Sequence, residues 1–204
     1  MAFNNANQRD RLTRLLQCSA LVRARELRSA GIASETIARA VKAGEIEQVA
    51  RGLYQRPDAP IDAAHALAET VKKIPKGVIA MVSALAFHEL TDQMPRRVWV
   101  AIGRGDWSPV ASYPPVRIVR LSEKYLRQDI EHHMISGVSV PIYSVPKTLA
   151  DLFRNSRLAE RSIAMEGLRA ALAQRRATPG VIAEAAIAGG AWRIMRPYLE
   201  ALTC

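Results

Sequence analysis

The stretch that decides the fold is residues 31–56, GIASETIARAVKAGEIEQVARGLYQR, in which a short helical pattern is followed at once by a hairpin pattern. Gly31 is typical of the residue just after a helix, because glycine adopts the left-handed conformation that ends one. Ser34 is predicted to cap the next helix, with Glu35 in the first turn, where the helix dipole favours an acid. This helix is predicted over residues 35–43.

A hairpin and two upstream helices complete the pattern. Short strands near 46–50 and 53–55 flank a tight turn at Arg51-Gly52. Apolar spacing predicts helices over 8–18 and 22–29. Three short helices followed by a hairpin predict a winged helix-turn-helix, in which the third helix enters the major groove and the hairpin tip meets the neighbouring backbone or minor groove.

The third predicted helix separates an apolar face from a polar one. Ile37 and Val41 lie one turn apart and face the core, whereas Thr36, Arg39 and Lys42 project away from it. Arginine suits a guanine edge and lysine suits a phosphate. The alternative is a solvated helical subdomain whose arginines only keep it soluble. The candidate DNA-binding residues are Ser34, Thr36, Arg39, Lys42, Arg51 at the hairpin tip, and Arg23, Arg25 and Arg28 of the second helix.

Charge supports an anionic partner for the N-terminal part. The chain has 204 residues and a formal net charge of +10. Residues 1–57 hold ten Lys and Arg against five Asp and Glu, while residues 58–204 hold nineteen against fourteen. The shorter segment is therefore denser in positive charge, which favours nucleic-acid binding there.

Several functional classes are not favoured by the composition. The N-terminus lacks the apolar stretch of a signal peptide, and the longest near-apolar run, residues 78–87, is too short to span a bilayer. Cys18 and Cys204 are the two cysteines, which supports neither a disulfide framework nor a zinc site. We expect a soluble cytoplasmic protein without membrane contact.

Residues 57–61 (PDAPI) have the composition of a linker. We therefore expect a DNA-binding domain over residues 1–57 and a second domain over residues 58–204. Strands followed by helices favour an α+β second domain with a helical C-terminal tail. Its predicted strands are 78–82, 97–102, 116–121, 130–135 and 138–143. Its predicted helices are 62–74, a short one capped by Ser83, 147–156, 160–175, 179–188 and 191–202.

Three blocks of sequence follow one another in order: residues 27–54, residues 83–91 (SALAFHELT) with Pro95 and the strand VWVAI, and residues 137–140 followed by 144–152 (SVPKTLADL). In order and spacing, these blocks resemble the AbiEi-type antitoxins of type IV toxin–antitoxin systems. The resemblance implies a winged helix that represses its own operon by binding inverted repeats. It also implies that the remainder counters a nucleotidyltransferase-like toxin, whether or not the two form a stable complex. The alternatives are a winged-helix transcription factor without a toxin, and a winged helix fused to a degenerate nuclease.

Catalytic and cofactor signatures are weak. Asp129, Glu131 and His133 alternate along a predicted strand, which is compatible with a metal cluster but is more typical of the wetted face of an edge strand. The nuclease E-x-K, G-x-S-x-G, P-loop and H-E-x-x-H motifs do not occur. His88 is predicted to be a hydrogen-bonded core histidine. We expect no enzymatic activity, no cofactor and no metal.

The loop over residues 103–115, GRGDWSPVASYPP, is long for a connection between strands. Trp107 and Tyr113 are candidate anchors for a protein partner, because aromatic side chains dominate interface hot spots. The alternative is that both rings fold back onto their own domain.

Overall fold

The structure is a computed structural model that describes residues 2–18, 21–50, 52–57, 63–107 and 114–203. The chain divides into two compact units, one of residues 1–73 with 133–140 and the other of residues 74–132 with 141–204. Residues 58–61 of the predicted linker lie outside the described ranges. The domain boundary after residue 57 stays a prediction. Over the described ranges, no helix combines the length and the apolar character needed to cross a membrane.

The first unit contains a small sheet among four helices. Its elements up to residue 73 are α1 Ala2–Cys18, β1 Leu21–Arg23, α2 Ala24–Ser29, α3 Ser34–Lys42, β2 Glu47–Ala50, β3 Leu53–Gln55 and α4 Ala63–Lys73. The sheet has the order β1-β3-β2, and both pairings are antiparallel. Gly52 has a φ of 70° in the turn between β2 and β3, a conformation that favours glycine. The predicted hairpin is therefore confirmed.

One apolar cluster holds these short elements together. Its members come from α1, β1, α2, α3 and the segments beside them, and all are nearly inaccessible to water. They are Leu12, Leu16, Val22, Leu27, Ile32, Ile37, Ala40 and Ile46. Helices as short as α2 and α3 are marginal alone, so this shared burial stabilises them.

Two predictions for this unit are wrong in detail. Residues 21–23 form a strand instead of the start of a helix, because Leu21 and Val22 are buried and pair with β3. The N-cap of α3 is Ala33 instead of Ser34. Extended Ala33 accepts the backbone N–H groups of Thr36 and Ile37 at 3.0 and 3.2 Å. Ser34 is therefore the first helical residue and not the cap.

The second unit contains most of a mixed five-stranded sheet together with helices, which confirms the predicted α+β class and the helical C-terminus. The strands have the order β6-β5-β4-β8-β7, with β4–β5 antiparallel and β4–β8 and β5–β6 parallel. They are β4 Val78–Ile79, β5 Val98–Gly103, β6 Val116–Leu121, β7 Ile130–Ile135 and β8 Val138–Tyr143. Residues 133–140, which end β7 and begin β8, are counted with the first unit. The helices are α5 Met81–Phe87, α6 Glu123–Leu126, α7 Val145–Arg154, α8 Arg161–Ala173, α9 Pro179–Ala188 and α10 Trp192–Thr203.

Predictions near the start of this unit are partly wrong. The strand predicted over 78–82 has only two residues, because α5 begins at Met81. Ser83 does not cap this helix, since Ala80 is the N-cap. The Ser83 side chain is buried, and its Oγ accepts the backbone N–H of Trp99 at 2.9 Å. The hydroxyl therefore ties α5 to β5. The short helix α6 was not predicted.

Candidate nucleic-acid interface

α3 lies against the core on one side and exposes polar side chains on the other. Ile37 and Ala40 are buried, while Ser34, Arg39 and Lys42 are exposed. The Arg39 Nε donates a hydrogen bond of 3.4 Å to the Glu35 carbonyl, one turn earlier. The two cations therefore share the exposed side of the helix, as their spacing predicted.

Thr36 was predicted to point outward, and this orientation is wrong. Thr36 is only 5% exposed, and its hydroxyl donates a hydrogen bond of 2.8 Å to Gln8 Oε1. The same oxygen accepts the backbone N–H of Ala33 at 3.1 Å. Gln8 on α1 therefore holds the N-terminus of α3 in place of a serine cap. Sequence reasoning missed it, because no local pattern links residues 25 and 28 positions apart.

The three arginines predicted around α2 differ in exposure. Arg25 and Arg28 are exposed, whereas Arg23 is half-buried. Burial lowers the pKa of the Arg23 guanidinium and Arg25 lowers it further, with Glu26 opposing both. Arg25 and Arg28 are therefore the better placed of the three to reach a phosphate.

Glu26 ties α2 to its neighbours. Its Oε2 accepts the backbone N–H of Arg23 at 2.7 Å, which closes the first turn of the helix. Both of its carboxylate oxygens lie 2.7 Å from the Lys72 Nζ of α4. Burial raises the pKa of Glu26, but the hydrogen bonds from Arg23 and Lys72 outweigh burial, so the net shift is downward. Lys72 lies 46 positions away, and sequence reasoning missed it as well.

Replacing Glu26 with glutamine should destabilise the protein at neutral pH and much less in acid. A carboxylate whose folded pKa is depressed adds stability above its unfolded pKa, about 4.3, and loses it as pH falls through the folded value. Urea unfolding at pH 7 and near pH 3 should show the difference between wild type and Glu26→Gln shrinking on acidification. An equal difference at both pH values would contradict this account, and Lys72→Met should remove part of the same pH dependence.

The hairpin tip is only partly described. Arg51 lies outside the described residues, so its role at the tip stays a prediction. The Gly52 carbonyl accepts the backbone N–H of Ala24 at 2.8 Å, which joins the turn to the start of α2. Of the nearby acids, Glu45 forms an ion pair with Arg9, and Glu47 accepts a 3.4 Å hydrogen bond from Gln55.

In the second unit, one arginine holds the start of the long loop. Arg120 Nη1 donates to the carbonyls of Gly103, Arg104 and Asp106 at 3.2, 3.0 and 2.9 Å. Trp107 follows directly and is 71% exposed, so its ring does not fold back onto the unit. Tyr113, the other candidate anchor, lies outside the described residues.

The structure gives no metal-binding or catalytic role to the acidic and histidine residues predicted near β7, or to His88. β7 is an edge strand, and Asp129 precedes it with a φ of 46°, so the predicted alternation does not start at that residue. In the part of the chain that the structure describes, no group of three or more His, Cys, Asp or Glu could hold a metal ion. His88 is buried, and its Nε2 is 2.8 Å from the Tyr143 carbonyl oxygen, which confirms a hydrogen-bonded core histidine.

The element order α1-β1-α2-α3-β2-β3, with a sheet in the order β1-β3-β2, defines a winged-helix domain. Residues 10–57 match the family model described as "Transcriptional regulator, AbiEi antitoxin". The match confirms the family resemblance for this segment. A comparison with curated proteins found no match.

The fold also resembles a solved structure over most of the chain. The crystal structure of the RV2827C protein from Mycobacterium tuberculosis matches with a TM-score of 0.52 and 16% sequence identity. The match covers 95% of this chain and 78% of that chain. At this identity, the likeness concerns the fold alone.

Proposed function

We propose that the chain is a DNA-binding antitoxin that represses its own operon by binding inverted repeats and counters a nucleotidyltransferase-like toxin. The observation that supports this most is the exposed side of α3, where Arg39 and Lys42 lie within a winged helix that matches the AbiEi regulator model. The proposal includes no catalytic step, because His88 is a buried, hydrogen-bonded residue and Glu131 and His133 lie on an edge strand.

In this proposal α3 enters the major groove. The Arg39 guanidinium forms a bidentate contact with a guanine edge, and Lys42 contacts a phosphate. The Ser34 hydroxyl, at the start of α3, donates a hydrogen bond to a phosphate of the DNA backbone. Thr36 acts indirectly, since its contact with Gln8 orients the helix.

The remaining proposed contacts are electrostatic. Arg25 and Arg28 contact phosphates from α2, Arg23 supports them from its half-buried position, and Arg51 reaches the backbone or minor groove from the wing. An inverted repeat is read by two copies of the winged helix, with half-sites centred about 34–36 Å apart or at multiples of that spacing.

The second unit carries the proposed toxin-countering role. Trp107 is its proposed anchor, because it is a large, exposed aromatic side chain held beside the backbone that Arg120 fixes. Tyr113 belongs to the same proposed surface by its place in the loop.

Replacing Arg39 with alanine should weaken operator binding by about 1–3 kcal/mol, because one bidentate base contact is lost. Fluorescence anisotropy with the promoter repeat and with a repeat altered at one guanine after another measures both affinity and base discrimination. Arg39→Ala should lose discrimination at one position in each half-site. The matched control is Arg14→Ala, an exposed arginine of α1 outside the proposed set.

A salt titration separates the base contact from the phosphate contacts. Lys42→Ala should weaken binding about equally on all sequences and lower the slope of log affinity against log salt by about 1. Unchanged affinity and discrimination in Arg39→Ala, with the wild-type salt slope in Lys42→Ala, would place the groove contact on another element and overturn the proposed interface.

A further inference from the structure

A cationic cavity is lined entirely by residues of the second unit. Its volume is about 430 Å³, within the range of small-molecule sites. Arg96 and Arg97 line it from the segment before β5, and Arg117 lines it from β6. Glu160 and Ile163 line it from the start of α8.

The charges of this cavity suit an anion. Arg96, Arg97 and Arg117 are all exposed, and none forms an ion pair with a residue that the structure describes. Guanidinium groups bind phosphates through two parallel hydrogen bonds. The cavity also borders the N-terminus of α8, a helix of 13 residues, whose dipole adds to the same positive field.

One of the three arginines is held against an aromatic ring. The Arg117 Cζ lies 4.0 Å from the centroid of the Trp99 ring. Trp99 belongs to the core, because the residue is only 6% exposed. Its backbone N–H donates a hydrogen bond to the Ser83 Oγ. A guanidinium positioned by an indole presents a flat, cationic surface, on which nucleic-acid bases stack.

The rest of the lining suits the other parts of a nucleotide. Leu158 and Ile163 add apolar side chains to the lining of the cavity, which favours a planar ring over a bare anion. Glu160 is an acceptor of the kind that binds ribose hydroxyls or the amino groups of a base. A site for inorganic phosphate alone needs neither the apolar wall nor the carboxylate.

From this arrangement we propose that the cavity binds a nucleoside phosphate. Arg96 and Arg97 hold the phosphates, the base stacks on the Arg117 guanidinium, and Glu160 accepts from the sugar or the base edge. The site goes beyond the proposed DNA-binding role and does not depend on it, since no residue of the winged helix takes part.

Isothermal titration calorimetry of the full chain tests this site. The probes are ATP and GTP, with tripolyphosphate, adenosine and guanosine as the separated parts of each ligand. At least one nucleotide should bind about tenfold or more tightly than any of the parts. Arg96→Ala/Arg97→Ala should weaken that binding tenfold to a hundredfold, which corresponds to the loss of charge-assisted hydrogen bonds.

Two further variants make the result specific. Arg117→Lys keeps the charge but removes the planar surface, so it should bring nucleotide affinity down towards that of tripolyphosphate. Arg193→Ala, an exposed arginine of α10 outside the cavity, should bind as wild type does. Circular dichroism melting establishes that each variant is folded.

Three outcomes would overturn the proposal. They are no binding of ATP or GTP at millimolar concentration, wild-type affinity in folded Arg96→Ala/Arg97→Ala, and tripolyphosphate binding as tightly as the nucleotides. The third outcome would indicate a simple anion site. In the first case, titration with a single-stranded oligonucleotide shows whether the site is a nucleic-acid surface instead. Operator binding is measured separately, so failure here leaves the proposed repressor role untouched.

Discussion

Replacing Asp151 with alanine should lower the free energy of unfolding by about 3–5 kcal/mol, because it leaves a buried cation without its partner. Asp151 and Lys147 lie one turn apart on α7, and the side chain of each is 1% exposed. The Lys147 Nζ lies 2.8 Å from both carboxylate oxygens, and Arg154 donates to Oδ1 at 2.9 Å.

The pKa shifts of this pair show what burial costs. Burial raises the pKa of Asp151 and lowers the pKa of Lys147, and in each case the charge of the partner opposes the shift. Neither charged form is favourable in this environment without the other. Removing one member therefore costs far more than the net stabilisation that the pair provides.

Two controls separate the cost of an orphaned charge from the worth of an ion pair. Arg196 and Glu200 on α10 have the same i,i+4 spacing at 2.6 Å, but their side chains are 58% and 55% exposed. Glu200→Ala should therefore cost at most about 1 kcal/mol. The double variant Lys147→Met/Asp151→Leu should recover most of the stability that Asp151→Ala loses, since it removes both charges.

Urea unfolding followed by circular dichroism measures all three variants. A cost for Asp151→Ala as small as that for Glu200→Ala would mean that water or another group reaches Lys147. Equal destabilisation in Asp151→Ala and in the double variant would point to packing volume and not to charge.

The sequence predicted most elements whose signals are local. Gly31, Gly44 and Gly52 have φ values of 78°, 70° and 70°, so each marks a chain reversal that only a few residue types tolerate. The amphipathic pattern of α3 likewise placed Ile37 inside and Arg39 outside. Such features depend on neighbours in the chain, which is why they are legible in one sequence.

Features created by distant partners were not predictable in this way. β1 is a strand because β3 pairs with it. Thr36 faces inward, where its hydroxyl donates a hydrogen bond to Gln8 of α1. The parallel pairing of β4 with β8 joins Ile79 to Ile142, which no local pattern indicates. In the candidate interface, the exposed cations were predictable from spacing, and the residues that orient them were not.

The double variant Arg39→Ala/Lys42→Ala should abolish repression of the native promoter while leaving toxin neutralisation intact. Both residues are exposed on α3, so their loss should leave the fold unchanged. In the proposed interface, the double variant would lose one bidentate base contact and one phosphate contact in each of the two copies that the proposal places on an inverted repeat. A promoter–reporter assay measures repression, and growth of cells that express the toxin measures neutralisation.

The reciprocal and matched variants make this separation of roles testable. Trp107→Ala should keep repression and weaken neutralisation, because the proposed anchor lies in the second unit. Arg169→Ala/Arg193→Ala removes two exposed cations from the second unit, outside both proposed surfaces, and should change neither readout. If folded Arg39→Ala/Lys42→Ala fails to rescue cells from the toxin, the exposed side of α3 takes part in neutralisation, and the proposed assignment of the two roles to different units is wrong.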